Sequence, residues 1–287
     1  MAFYGCKFTF DGVSCDAHQL MIYNIGSDEH GDTEFAHTVS VQEELVGSRW
    51  KPLFFGVTYE NKLESEIVFG LTPERIEAHE CLTRQEMAAI SSGLAGHQEY
   101  KWLEIEQDDL SHVRYRCMVT ELKTIYHGDE PWAFSATFTC DGPYAYLYPT
   151  EYTYQVNGEL DIAFNNLSDH NGYYSPVVIF TTSSAVLTEE TGSILTEETG
   201  RTLTTSNSFS IENQSCGHTM AFSNMNYSYV TITVDCENGV VTGSSSENFY
   251  KYFNFRFLKL KRGINNLRVT GNGVLTIRCE FPVSVGM

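Results

Sequence analysis

The sequence predicts an all-β fold of two β-sandwich-type domains, the first with one short packed α-helix. Three observations predict it. Short runs rich in Val, Ile, Thr, Tyr and Phe recur between turn residues along the chain. Tyr and Phe supply 17 and 18 residues while charged residues make up only 19%, a mix suited to pleated, half-buried surfaces. A complete helix-start signal stands out at one place, and 287 residues suffice for two cores.

In the first domain, Phe8-Thr9-Phe10 leads into the turn dipeptide Asp11-Gly12, and Gln19 to Tyr23 is extended in character, so the N-terminus reads as a hairpin. Phe54 to Tyr59 and Ser65 to Gly70 are further strand-like runs. The helix starts at Thr83, whose hydroxyl caps the first turn while Glu86 closes a capping box and Leu82 and Met87 form a hydrophobic staple. Met87, Ile90 and Leu94 make one apolar stripe, and Gly96 offers the stop. Tyr100 to Ile105, Val113 to Val119 and Trp132 to Cys140 alternate partially with period two. Asp141-Gly142-Pro143 breaks the last of these, and Pro149 follows several exposed-looking tyrosines, which sets the domains at 1–148 and 149–287.

The second domain is rich in Asn, Ser, Thr and Gly, with strand-like runs at Pro176 to Phe180, Tyr229 to Val234, Asn254 to Leu258 and Val274 to Cys279. Turn-rich loops between such strands suggest a sandwich. A tandem repeat, Leu187-Thr188-Glu189-Glu190-Thr191-Gly192 followed by Leu195-Thr196-Glu197-Glu198-Thr199-Gly200, is too short for a solenoid. It reads as an acidic β-like excursion over 186–203, with a disordered acidic loop as the alternative.

The chain carries 37 acidic and 18 basic residues, a net charge of −19, so a duplex-binding surface would work against a repulsive field and no specific nucleic-acid partner is expected. Residues 1–148 hold 24 acidic and 10 basic side chains, against 13 and 8 in 149–287. From Lys251 to Arg278 there are seven basic residues and no acidic one, either a positive face for an acidic neighbour or a solvated strand edge. The eight cysteines, Cys6, Cys15, Cys81, Cys117, Cys140, Cys216, Cys236 and Cys279, are too dispersed for a disulfide framework and are expected as free, mostly buried thiols. Neither a secretion signal nor an apolar run of about 18 residues is present, so no membrane insertion is expected.

Chemistry is sparse. No phosphate-binding Gly-rich loop and no Gly-x-Ser-x-Gly elbow occurs. His79 with Cys81, and Cys216 with His218, have a spacing that a metal uses, but neither has a second close pair. Glu104 with Glu106, Asp108 with Asp109, and Asp235 with Glu237 are carboxylate pairs in strands and turns, where a solvated surface is the plainer reading. Tyr173, Tyr174, Tyr227, Tyr229 and Asn226 form the aromatic and amide set from which a sugar-stacking surface could be built, against a packing role for most of them. The sequence therefore nominates no catalytic, cofactor-binding or metal-binding residue, no cofactor and no enzymatic activity.

The sequence resembles the distal tail proteins of long, flexible-tailed bacteriophages. The first half is similar to their N-terminal belt domain in the Phe8 to Val13 hairpin, the helix opening Leu82-Thr83-Arg84-Gln85-Glu86, Tyr100-Lys101-Trp102-Leu103, and the close at Phe138 to Tyr146. The second half resembles the family's galectin-like or carbohydrate-module-like sandwich at Thr233 to Val241 and Phe257 to Gly271, where Gly263-Ile264-Asn265 makes a turn, Leu267 and Val269 return as a strand, and Gly271 ends it. Two departures stand out: Ser92-Gly93-Leu94 replaces the Trp-Leu pair frequent in relatives, and the acidic repeat has no counterpart. The resemblance implies a structural subunit of the virion at the distal end of the tail, made in the host bacterial cytoplasm. It implies a homohexameric ring as the self-partner, the major tail tube protein and the tail-associated hub protein as neighbours, and in some phages a receptor-binding protein. A carbohydrate-binding module or adhesin for host glycans is the alternative.

Overall fold

A computed structural model of the chain describes residues 7–25, 39–47, 49–59, 62–107, 110–183, 207–225 and 229–285. The acidic repeat at 186–203, Cys6, Asp108, Asp109, Asn226 and Tyr227 lie outside the described residues. The architecture is all-β with one helical region in the first half, and the chain divides into two compact units. One runs to Tyr148 and takes back the residues from Val283 onward; the other is Pro149–Pro282.

In the first unit β1 (Phe8–Phe10) and β2 (Val13–Ser14) form the expected hairpin, with Asp11 and Gly12 both at positive φ, as a tight two-residue turn requires. A 3-10 turn at Cys15–His18 then redirects the chain: Ser14 accepts a hydrogen bond from the Asp16 N–H, and Gln19 adopts left-handed backbone at φ 53. Consequently β3 (Leu20–Ile25) does not return along β1, as an extended Gln19 to Tyr23 beside it suggested, but pairs with the later strand Glu64–Leu71. The following elements are β4 (Val39–Glu44), β5 (Leu53–Tyr59), β6 (Glu64–Leu71), α1 (Pro73–Glu77), α2 (Arg84–Ala95), β7 (Lys101–Ile105), β8 (Val113–His127), β9 (Glu130–Cys140) and β10 (Ala145–Leu147). The main antiparallel path is β2-β1-β7-β8-β9-β6-β3. Its inner face carries Phe8, Phe10, Phe69 and Phe138, whose rings meet edge to face, Phe8 with Phe69 at 5.0 Å and Phe10 with Phe138 at 5.6 Å. Helix α2 covers that face with Ile90 and Leu94 buried. Tyr144, grouped by sequence with exposed tyrosines, is buried instead.

The second unit contains β11 (Thr150–Asn166), β12 (Val177–Thr182), β13 (Asn207–Asn213), β14 (His218–Met225), β15 (Thr231–Asp235), β16 (Val240–Gly243) and β17 (Gly263–Cys279). One edge of β17 pairs with β11 along its whole length, from Thr150 opposite Cys279 to Asn166 opposite Gly263. Its other edge is shared: β13 takes Leu267 to Thr270 and β12 takes Gly273 to Arg278. The switch falls at Gly271 and Gly273, where an added Cβ would stand 3.1 Å from the Ser208 carbonyl oxygen and 2.1 Å from that of Thr181. Gly271 therefore does not end the strand. It lets two neighbours close on one continuous β17, which curls the seven-stranded sheet into the half-barrel of a galectin-like fold.

Asn254 to Leu258, read by sequence as a strand, is irregular. Asn254 Oδ1 accepts from the Ala221 and Arg256 N–H groups while its amide donates to the Thr219 carbonyl, and Phe255 sits at φ 57, outside strand geometry. A final strand, β18 (Pro282–Val283), pairs with β10.

Candidate functional site

In the first unit the ribbon formed by β4 and β5 leaves large apolar side chains exposed. Among the described residues it is a two-stranded sheet paired only within itself, from Ser40 opposite Thr58 to Glu44 opposite Leu53, with a register shift after Gln42. Phe55 is the extra residue at that shift, and both it and its neighbour Phe54 are left in solvent, 64% and 65% exposed. Trp50 in the connection is 85% exposed, with Lys51 Nζ 4.4 Å from its ring centroid, and Val41 and Leu45 add to the apolar area. Large apolar side chains left exposed together make this ribbon a candidate contact surface.

Helix α2 is pinned at its start. The Thr83 N–H donates to Glu86 Oε2 at 2.7 Å, the Glu86 N–H donates to the Thr83 hydroxyl at 3.2 Å, and the buried Arg75 reaches Glu86 at 3.0 Å and Glu80 at 2.7 Å. Burial works against the charge on Glu86, but the Thr83 donors and the Arg75 guanidinium outweigh it and hold the carboxyl below its usual range. Next to the helix a crevice of about 40 Å3 is lined by Phe10, Val13, Phe69, Ile90, Gly93 and Leu94. Gly93 is exposed at the rim of this crevice, and nothing lies within 4 Å of a Cβ placed on it.

The sequence-nominated chemistry does not assemble. His79 and Cys81 line a cleft of about 350 Å3 together with His127, yet among the described residues no three His, Cys, Asp or Glu side chains converge as metal ligands. Cys216 Sγ points to the Asn213 and Lys259 carbonyls, and His218 meets the ring of Tyr173 at 5.8 Å. Asp235 folds back on its own turn, accepting from the Glu237 and Asn238 N–H groups. Tyr174 is a packing residue whose oxygen accepts from the Glu280 N–H, while Tyr173 and Tyr229 are exposed. Of the basic run, four members are neutralised within their own unit: Lys251 by Glu247, Arg262 by Asp169, Arg268 by Glu159 and Asp161, and Arg278 by Glu151. That favours the solvated strand edge over a continuous positive face. The seven described cysteines are free, with Cys117, Cys140 and Cys279 in the cores.

The comparisons with known proteins divide the chain in the same order. Residues 3–142 match the family described as phage tail protein N-terminal domain, and 185–279 match phage tail C-terminal domain. The chain is a phage tail protein. Among solved structures, this tail protein is similar to the SPP1 Dit protein, described as a paradigm of hub adsorption apparatus in Gram-positive infecting phages, at 9% identity and a TM-score of 0.62, covering 96% of this chain and 98% of that one. A chain of the phage P2 baseplate in its activated conformation with Ca matches at 8% identity, TM-score 0.48, over 93% and 92%. A chain of the corresponding Sr form matches at 10% and 0.48, over 96% and 97%. No curated protein matches this sequence. The tail protein is thus a structural component of the phage tail, and the ribbon is its main candidate contact surface. The run Phe54 to Tyr59 reads as a strand in the sequence, but an apolar doublet such as Phe54-Phe55 ordinarily marks a buried strand, so its exposure was not legible there.

Proposed function

We propose that this tail protein is a non-enzymatic subunit of the tail tip or baseplate, at the distal end of the tail in the virion, that closes into a homohexameric ring through residues 1–148. The ring joins the major tail tube protein to the tail-associated hub protein and leaves the second domain, 149–287, free to face outward or to hold a receptor-binding protein. The observation that carries the reading is the similarity in fold, over nearly the whole of both chains, to a protein described as hub adsorption apparatus. The β4–β5 ribbon supports it, because a ring needs one face of each copy to match a different face of the next, and a ribbon with exposed Trp50, Phe54 and Phe55 is a suitable reaching element. The first half holds 24 acidic and 10 basic side chains, so self-repulsion opposes closure and rings form more readily at higher ionic strength or with neighbouring tail proteins present.

Light scattering and negative-stain images of the full chain across salt concentrations test this. Six-fold rings are the expected product, and the triple variant Trp50→Ser, Phe54→Ser, Phe55→Ser is expected to stay monomeric with an unchanged unfolding midpoint. A wild-type chain that remains monomeric at all salt concentrations, with tube and hub proteins added, would count against the ring. A second reading, glycan recognition by the second unit, is favoured by Phe255, which stands 65% exposed on left-handed backbone and stacks on Tyr250 at 6.0 Å. Glycan-array binding abolished by Phe255→Ala is the outcome that would support it.

A further inference from the structure

Cys117 and Cys140 form the pair farthest from the turn of the β8–β9 hairpin, directly opposite each other in the register. Both lie on the inner face of the first unit, 0% and 2% exposed, in the core that contains Phe8 and Phe138. Neighbouring backbone bonds fix the kind of pair they make. The Asp141 N–H donates to the Arg116 carbonyl at 2.9 Å, whereas the Cys140 N–H turns away from β8 and donates to the Leu63 carbonyl at 2.8 Å. Cys117 and Cys140 are therefore a non-hydrogen-bonded pair, the closer of the two kinds, for which regular antiparallel sheet sets the Cα atoms about 4.5 Å apart. That separation lies inside the range of about 4.4–6.8 Å that a disulfide spans, and the two Cβ atoms project from the same face. The thiols are free and already in contact. Cys236 and Cys279 are buried too, but β12 runs between their strands, with Val177 opposite Asp235 on one side and Arg278 on the other.

We propose that Cys117 and Cys140 are an oxidation site, which a peroxide converts to a disulfide that ties the open end of the β8–β9 hairpin. One thiolate attacks an oxygen of hydrogen peroxide, the O–O bond breaks, and the products are a sulfenic acid and a hydroxide that takes up the thiol proton as water. The second sulfur attacks the sulfenic sulfur, the S–S bond forms, and the S–O bond breaks to release a second water with the remaining thiol proton. Two electrons pass from the two cysteines to the peroxide. A peroxide is close to water in size, so a small opening of the sheet admits it. The thiolate is the reactive form, and contact with Cys140 together with burial holds the Cys117 thiol protonated, so the site oxidises slowly and responds to sustained exposure. Strand β8 stands at the centre of the path β2-β1-β7-β8-β9-β6-β3, so a bridge from it to β9 stabilises the first unit as a whole. The site does not depend on ring closure.

The test starts from the reduced full chain, incubated with hydrogen peroxide, alkylated under denaturing conditions and mapped by mass without reduction. A peptide pair joined through Cys117 and Cys140 is expected, together with an unfolding transition raised by about 5–10 °C. Dithiothreitol should reverse both, which separates the bridge from methionine oxidation. Cys140→Ala is expected to show no peroxide-dependent rise, and if that variant does not fold, the mapping of the wild-type chain decides alone. Absence of the joined peptide after exposure long enough to oxidise the exposed Cys81 would overturn the proposal. So would a Cys236–Cys279 bridge formed as readily, a 117–140 bridge that leaves the transition unmoved, or a rise retained in Cys140→Ala.

Discussion

Gly273 lies inside β17 at φ 151, and a methyl group added there would meet the Thr181 carbonyl oxygen at 2.1 Å. Neither the backbone angle nor the neighbour can give cheaply, so Gly273→Ala is expected to destabilise the second unit by about 3 kcal/mol or more, read from urea unfolding. Gly93 is the opposite case. It sits in the interior of α2 with open space around it, and Gly93→Ala should stabilise by about 1 kcal/mol through the helix backbone alone. Both residues are legible as glycines within regular elements, but the sign of each substitution depends on what lies across from it. Glu86 adds a pH signature: its folded carboxyl titrates below the unfolded value of about 4.3, so its contribution is present above that pH and fades as pH falls through the folded value. Glu86→Gln should therefore lower stability at neutral pH, and the difference from wild type should vanish in acid, as paired urea titrations at several pH values would show.

At the scale of elements, α2 was legible because its signals are local: Thr83, Glu86 and Leu82 act within one turn, and the capping box is present as read. The short α1 escaped, although Thr72 before Pro73 at the first helical position is its signal, because a five-residue helix shows no apolar period. The strand β11 escaped for another reason. Its burial alternates, but its outward positions include Glu151, Glu159 and Asp161, held by Arg278 and Arg268 on β17, and such pairs show only when both strands are in view. Cysteines divide by element as well. Cys117 on β8 stands directly opposite Cys140 on β9, and both are buried. Contact with the Cys140 thiol, reinforced by burial, pushes the Cys117 thiol far up. In the native protein, alkylation is expected to reach the exposed Cys81 first, Cys216 more slowly, and Cys15, Cys117, Cys140, Cys236 and Cys279 only after unfolding, as timed mass mapping would reveal.

At the scale of the molecule, the C-terminal residues return to the first unit. β18 pairs with β10, and Val285 is buried in the core that contains Phe8 and Phe69. Truncation after Phe281 is expected to cost about 1.5–3 kcal/mol for the lost burial of an aliphatic side chain, with the loss confined to the first unit, as hydrogen exchange resolved along the chain would show. A fragment ending at Tyr148 therefore lacks part of its own sheet system, and a first-domain piece made to test assembly should carry residues 282–287 on a linker.

What the sequence determined by itself was whatever depends on near neighbours: the β-rich composition, the Asp11-Gly12 turn, the capped helix, the weak support for metal or nucleophile chemistry, and the acidic imbalance of the first half. The tertiary structure alone decided which strand lies beside which, that β17 serves two neighbours on one edge, that four of the seven members of the basic run are paired with carboxylates, and that one ribbon leaves its aromatic side chains exposed. Those outcomes rest on contacts between residues far apart in the chain. Alternation shows that a side chain will face one side of a sheet, but only the packed neighbours decide what it meets there.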